Sequence, residues 1–126
     1  LYTTAQSPRA IAVGTDNAAE IYTGYYTKYG DGGADVLPLA ALRKEQVYEL
    51  ARHLGVPERV VNKAPSAGLW AGQTDEDEMG VSYRELDAFL RGEAVSAEAE
   101  KTIAWWHERS HHKRMLPPVP PAPDAL

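Results

Sequence analysis

Five short stretches of the chain carry residue types suited to a charged, phosphate-bearing ligand. The first, Gly14-Thr15-Asp16-Asn17-Ala18-Ala19-Glu20, follows the apolar run 10–13. A strand that ends in Gly-Thr and opens into a helix presents backbone N–H groups and a hydroxyl at a sheet's carboxyl edge. Open α/β sheets bind nucleotides there. Glu20 has the chemistry of a Mg²⁺ ligand, since that ion takes one or two carboxylates plus phosphate oxygens. The same residues also describe a tight turn with an N-cap and a solvated glutamate. The second stretch is Thr27-Lys28-Tyr29-Gly30-Asp31-Gly32-Gly33-Ala34-Asp35. Its glycines allow backbone to approach a ligand, Lys28 suits a carboxylate or phosphate, and Asp35 can accept from ribose or amide donors. A flexible turn with a solvated charge pair is the alternative.

The other three stretches are more ambiguous. Arg43-Lys44 opens a helix, where the dipole disfavours cations unless an anion is also bound. In Lys63-Ala64-Pro65-Ser66-Ala67-Gly68-Leu69-Trp70, Ser66 can donate to phosphate, and Trp70 reads as a packing anchor. The acidic run that follows, Asp75 to Glu78, has the chemistry to recruit a metal, but reads better as first-turn carboxylates favouring a helix dipole. His107 and His111 have the i, i+4 spacing of zinc ligands, but no third ligand is placed, and cations closing a helix have a plain dipole explanation. His112 with Lys113 makes a plausible phosphate clamp.

The elements that must hold these groups are short. Residues 10–13 and 35–39 read as strands, with Pro38 marking an edge or an end. Asp16 or Asn17 caps a helix running to about residue 26. Residues 44–54 place Val47, Leu50, Ala51 and Leu54 on one apolar face, and Gly55 stops them. Thr74 with Asp77, and Ser82 with Glu85, have capping-box spacing, the first weaker because Asp is shorter than Glu. Leu86, Phe89 and Leu90 face inward on the helix after Ser82; Ala99, Ile103 and Trp106 do so on the helix after Ser96. Gln6-Ser7-Pro8 breaks an opening helical turn, and the proline-rich segment 117–126 is an extended tail. The strand–helix alternation reads as α/β with a helical rear. Two strands are too few for a self-sufficient parallel sheet. That shortage, and a start at Leu1 within a helix end, lead us to expect sequence upstream.

The 126 residues suit one modest core, and the net charge of −5 argues against general nucleic-acid or membrane affinity. No cysteine is present, which removes disulfides and thiolate chemistry and fits a cytoplasmic protein.

In order, the chain contains Gly14 to Glu20, Gly24-Tyr25-Tyr26 leading into Thr27 to Asp35, Leu39 before Lys44, Pro65-Ser66-Ala67, Gly72-Gln73-Thr74-Asp75-Glu76 and His112-Lys113-Arg114. This ordered series resembles the ammonia-dependent NAD⁺ synthetases. The resemblance implies a doubly wound parallel sheet of the adenine-nucleotide α-hydrolase type, here incomplete, working as a homodimer. Residues 1–116 would form the C-terminal portion of one synthetase domain. The implied reaction joins deamido-NAD⁺ and ammonia at the expense of ATP, giving NAD⁺, AMP and pyrophosphate through an acyl adenylate. It implies Thr15, Lys44 and Ser66 as ATP ligands, with Ser66 standing where the family often has threonine, and Glu20 as the Mg²⁺ carboxylate. It implies Lys28, Asp35, His112 and Lys113 as deamido-NAD⁺ ligands. The family's Ser-Gly-Gly-x-Asp-Ser pyrophosphate loop and an upstream arginine are absent from this chain, so the chain alone is expected to be inactive. Two rival readings are the synthetase domain of a glutamine-dependent enzyme and a noncatalytic nucleotide-binding or dimerisation fragment.

Overall fold

Helix α2 (Ala18–Thr23) is fixed by its own ends. The Asn17 side chain accepts from the backbone N–H of Ala19 and Glu20, and Glu20 Oε2 accepts from the Asn17 N–H at 2.9 Å, closing a capping box. Gly24 stops the helix with φ +67°, three residues earlier than the sequence suggests. A Cβ there would stand 2.2 Å from the Cβ of Ser110. Gly24→Ala should therefore cost about 2 kcal/mol or more, through both left-handed strain and displacement of the Ser110 turn. Thermal melting of the variant checks this.

The computed structural model describes residues 1–6 and 9–121. Ser7 and Pro8, expected to break the first helix, and residues 122–126 of the proline-rich tail lie outside the described residues. Around α2 stand α1 (Tyr2–Gln6), α3 (Lys44–His53), α4 (Glu58–Val61), α5 (Asp75–Met79), α6 (Tyr83–Leu90) and α7 (Ala97–Arg109), with a 3₁₀ turn at His111–Lys113. Ser82 and Glu85 form the full reciprocal cap of α6. At α5 the shorter Asp77 instead accepts from the Thr74 hydroxyl at 2.6 Å.

Helices α2, α6 and α7 pack on one another and bury Ala19, Met79, Val81, Tyr83, Leu86, Ala99 and Ile103. Leu86 and Ile103 are fully enclosed, each contributing about 1.5–3 kcal/mol of apolar transfer. Phe89, Leu90 and Trp106 cover the edge of this cluster, and the Trp106 indole donates to the Met79 carbonyl at 2.9 Å. The second face of α6 carries α3, which itself packs on α4. Helix α3 has no fully buried residue; Leu50 and Leu54 remain 37% and 70% exposed.

Among the described residues no full strand forms, and the doubly wound parallel sheet was expected to be incomplete in this chain. It is represented by one parallel bridge between Val13 and Val36, supported by Gly14 N–H to Val36 O at 2.9 Å and Asp35 N–H to Ala12 O at 2.8 Å. Two features shorten the ladder. Asp35 Oδ2 takes the Ala12 N–H at 2.7 Å, which removes a ladder donor. Pro38 has no N–H to extend the second segment. Ile11, Val13 and Val36 stay exposed beside the bridge, as expected for two segments without neighbouring strands. Trp70 also departs from expectation, being 57% exposed on its loop.

Candidate functional site

Lys44 is the first residue of α3, and its helix start is held from another helix. The Asp87 carboxylate, buried on α6, accepts from the N–H of Lys44 at 3.0 Å and of Glu45 at 2.8 Å. An anion at the N-terminus satisfies orphan donors and the dipole together, so the expected clash of Lys44 with the dipole is resolved by Asp87. The Lys44 ammonium then reaches Glu20 Oε1 at 3.1 Å, with both side chains largely shielded, and lies 4.4 Å from the Tyr83 ring centroid. Tyr83 Oη lies 3.1 Å from Glu20 Oε1 and 3.2 Å from Asp75 Oδ2. Burial, followed by the charges of Glu20 and Asp75, pushes the Tyr83 phenol far above its usual range.

Lys44 and Asp75 open onto a cleft of about 330 Å³ that also takes in Tyr48, Lys63 and Ser66. The Ser66 hydroxyl accepts from Gly68 N–H at 3.0 Å and is half-buried. A cleft with two lysines and a hydroxyl suits an anionic ligand.

A second cleft of about 260 Å³ is lined by Tyr25, Tyr26, Trp106, Asp31, Glu78 and Lys113, among others. Tyr25 donates to Glu78 at 2.7 Å, and Gln73 donates to the same oxygen at 2.8 Å. Lys113 donates to the carbonyls of Gly24, at 2.7 Å, and of Tyr26; burial pushes its pKa below the usual lysine value. Lys28 reaches across to the carbonyls of His112 and Met115. Loop 24–29 and the C-terminal turn are thus braced by two lysines.

Of the residues singled out by sequence, Lys44 and Ser66 line the first cleft with Glu20 paired to Lys44, while Lys113 lines the second and Lys28 engages the His112 carbonyl. His112 is exposed, with its carbonyl engaged by Lys28. Asp35 is exposed and bonded to the Ala12 N–H, and Thr15 is exposed just past the bridge. His107 is occupied structurally: its Nδ1 lies 2.9 Å from the Tyr22 carbonyl and its ring stacks on Tyr22. Sequence reasoning missed Asp75, Tyr83 and Asp87. The signal for Asp75 was its place in the Gly72 to Glu76 series; Asp87 had none.

Asp16, Asp31 and Glu20 make a local surplus of negative charge. Desolvation first, then the charges of Asp31 and Glu20, push the buried Asp16 carboxyl up to about 6. Because this folded-state value lies above the ordinary one, the folded state holds the proton more tightly, and the resulting stability is lost as pH rises from about 4 to about 6. Asp16→Asn should therefore stabilise the chain at pH 7.5 by about 1–3 kcal/mol relative to its effect at pH 4; chemical denaturation at the two pH values measures it. The same field favours a bound cation, and Glu20 Oε1 already faces one in Lys44. Among the described residues no group of three His, Asp or Glu is arranged to cage a metal.

The chain is similar in sequence and structure to known proteins. A family model described as NAD synthase matches residues 1–117. The NH₃-dependent NAD⁺ synthetase of Mannheimia succiniciproducens is 71% identical over 98% of this chain and 50% of its own length. A solved structure described as NMN synthetase from Francisella tularensis is 60% identical, with a TM-score of 0.93 over 95% of this chain and 50% of that one. The NAD⁺ synthetase of Burkholderia pseudomallei is 41% identical, with a TM-score of 0.66 over 92% of this chain and 44% of that one. The chain spans about half the length of the curated relatives it matches. The high-scoring neighbours are synthetases, so the helical arrangement is that of their fold family. Among the described residues no helix is long and apolar enough to cross a membrane.

Proposed function

This chain belongs to the NAD synthase family, and on that premise we propose that it supplies part of an ATP-dependent ligase that amidates deamido-NAD⁺ with ammonia. The products are NAD⁺, AMP and pyrophosphate. The observation that carries the reading is the convergence of Glu20, Lys44 and Ser66 on one corner, with Lys44 and Ser66 lining one cleft.

In this reading Thr15, Lys44 and Ser66 hold the ATP phosphates, Lys44 by charge and the hydroxyls by direct donation. Mg²⁺ on Glu20 would neutralise phosphate charge when bound. The substrate carboxylate attacks the α-phosphorus and pyrophosphate leaves. Ammonia then adds to the acyl carbon, AMP departs, and the nitrogen sheds a proton. Such chemistry depends on positioning and charge neutralisation more than on a protein nucleophile. Lys28, Asp35, His112 and Lys113 hold deamido-NAD⁺, with the aromatic walls of the Tyr25–Trp106 cleft suited to a pyridine ring. The active unit is a cytoplasmic homodimer.

The Francisella relative described as NMN synthetase favours a second reading, in which the acid amidated is the mononucleotide. The two are separated by measuring kcat/KM of the full-length enzyme with each acid, under saturating ATP, Mg²⁺ and ammonium. A preference of tenfold or more for deamido-NAD⁺ supports the first reading, and the reverse preference supports the second. Turnover of neither acid overturns both.

A further inference from the structure

One carboxylate oxygen beside Lys44 lacks a partner. Asp75 is only 8% exposed, yet its Oδ1 has no hydrogen bond. Its Oδ2 shares the Tyr83 hydroxyl with Glu20 Oε1. A phenol has one proton to donate, so it cannot satisfy both carboxylates at once. An unpartnered buried carboxylate costs the desolvation of its charge, and such a group calls for a donor that arrives in some state of the protein.

The donor nearest in chemistry is the Lys44 ammonium, which opens onto the same cleft as Asp75. It carries three N–H donors and, among the described residues, makes one hydrogen bond, to Glu20 Oε1. Glu20 has a second tie through Oε2 to the Asn17 cap, so the carboxylate is fixed in place and the lysine is the partner free to move. When another cation claims Glu20 Oε1, like charge expels Lys44 from that oxygen. Its flexible four-carbon stem permits a short swing towards Ser66 and Asp75.

We propose that Asp75 is a positioning residue for Lys44: it receives the ammonium that Glu20 releases and holds it in the cleft beside Ser66. The device has two acceptors on either side of the Tyr83 hydroxyl and one mobile cation between them. Its catalytic use rests on the reading of Lys44 as a phosphate ligand. The swing itself needs no substrate, so the two can fail separately.

The test is made on this chain without nucleotide. Glu20→Gln keeps the α2 cap acceptor but removes the charge that holds Lys44. In that background Asp75→Asn should lower the melting temperature by roughly 4 °C or more, while in the wild-type background the same change should be neutral or stabilising. The Lys44 side-chain signal in ¹³C-lysine spectra, assigned with Lys44→Arg, should move on adding Asp75→Asn to Glu20→Gln and stay unchanged on adding it to wild type. A purely structural role for Asp75 predicts the same destabilisation in both backgrounds and a Lys44 signal indifferent to Asp75; either result overturns the proposal. Should Glu20→Gln not fold, both comparisons are made in the Asp16→Asn background, expected above to be more stable at pH 7.5, and are read the same way.

Discussion

Lys44→Ala in the full-length enzyme should lower kcat/KM for ATP by about 10²–10³-fold, the loss typical when one preorganised charge on a developing anion is removed. The size follows from how fully Lys44 is committed. Its backbone is anchored by Asp87, its ammonium lies 4.4 Å from the Tyr83 ring centroid, and the residue lines the cleft shared with Ser66. Lys44→Arg should recover little, because a planar fork does not replace a compact ammonium beside Ser66. The substitution also strands Glu20, whose side chain is 16% exposed. Breaking a shielded ion pair destabilises by up to about 3–5 kcal/mol, so melting curves must accompany the kinetics. A rise in KM for ATP in protein that is still folded identifies a binding loss. An unchanged kcat/KM would remove Lys44 from the ATP site.

The second large effect concerns the chain by itself. Incubated with deamido-NAD⁺, ATP, Mg²⁺ and ammonium, the 126-residue chain should form NAD⁺ at least about 10³-fold more slowly than the full-length enzyme. Co-expression with the segment that carries a Ser-Gly-Gly-x-Asp-Ser loop should restore activity. Two observations support this. No serine-glycine loop occurs in the sequence to grip pyrophosphate, and the apolar residues Ile11, Val13 and Val36 beside the bridge await a covering surface. Full-rate NAD⁺ formation by the isolated chain would falsify the expectation. Binding of neither nucleotide, with no rescue by the added segment, would favour a structural remnant over a split enzyme.

The helical rear was legible because its signals are local. Ser82 with Glu85, and the spacing of Ala99, Ile103 and Trp106, depend on neighbours within a turn or two, and the structure places them as expected. Asp87 was not legible, since the N–H groups it caps belong to residues 42 and 43 positions away. Asp75 read as a first-turn acid favouring its helix dipole because sequence reports a residue's own helix and not the tyrosine bonded to it. Periodicity likewise showed that α3 has an apolar face but not that Leu50 and Leu54 would stay uncovered. For the strands, residue types indicated where pairing would occur; the length of the ladder depended on Asp35 and on neighbouring strands. The grouping of Glu20 with Lys44 came from the resemblance, as no spacing rule links residues 24 positions apart.

A crystal structure of the full-length enzyme with Mg²⁺ and a non-hydrolysable ATP analogue examines the convergence most directly. We expect a phosphate oxygen within hydrogen-bonding distance of both Lys44 Nζ and Ser66 Oγ, with the metal on Glu20. Phosphates lodged on another surface, with Lys44 still paired to Glu20, would contradict the account.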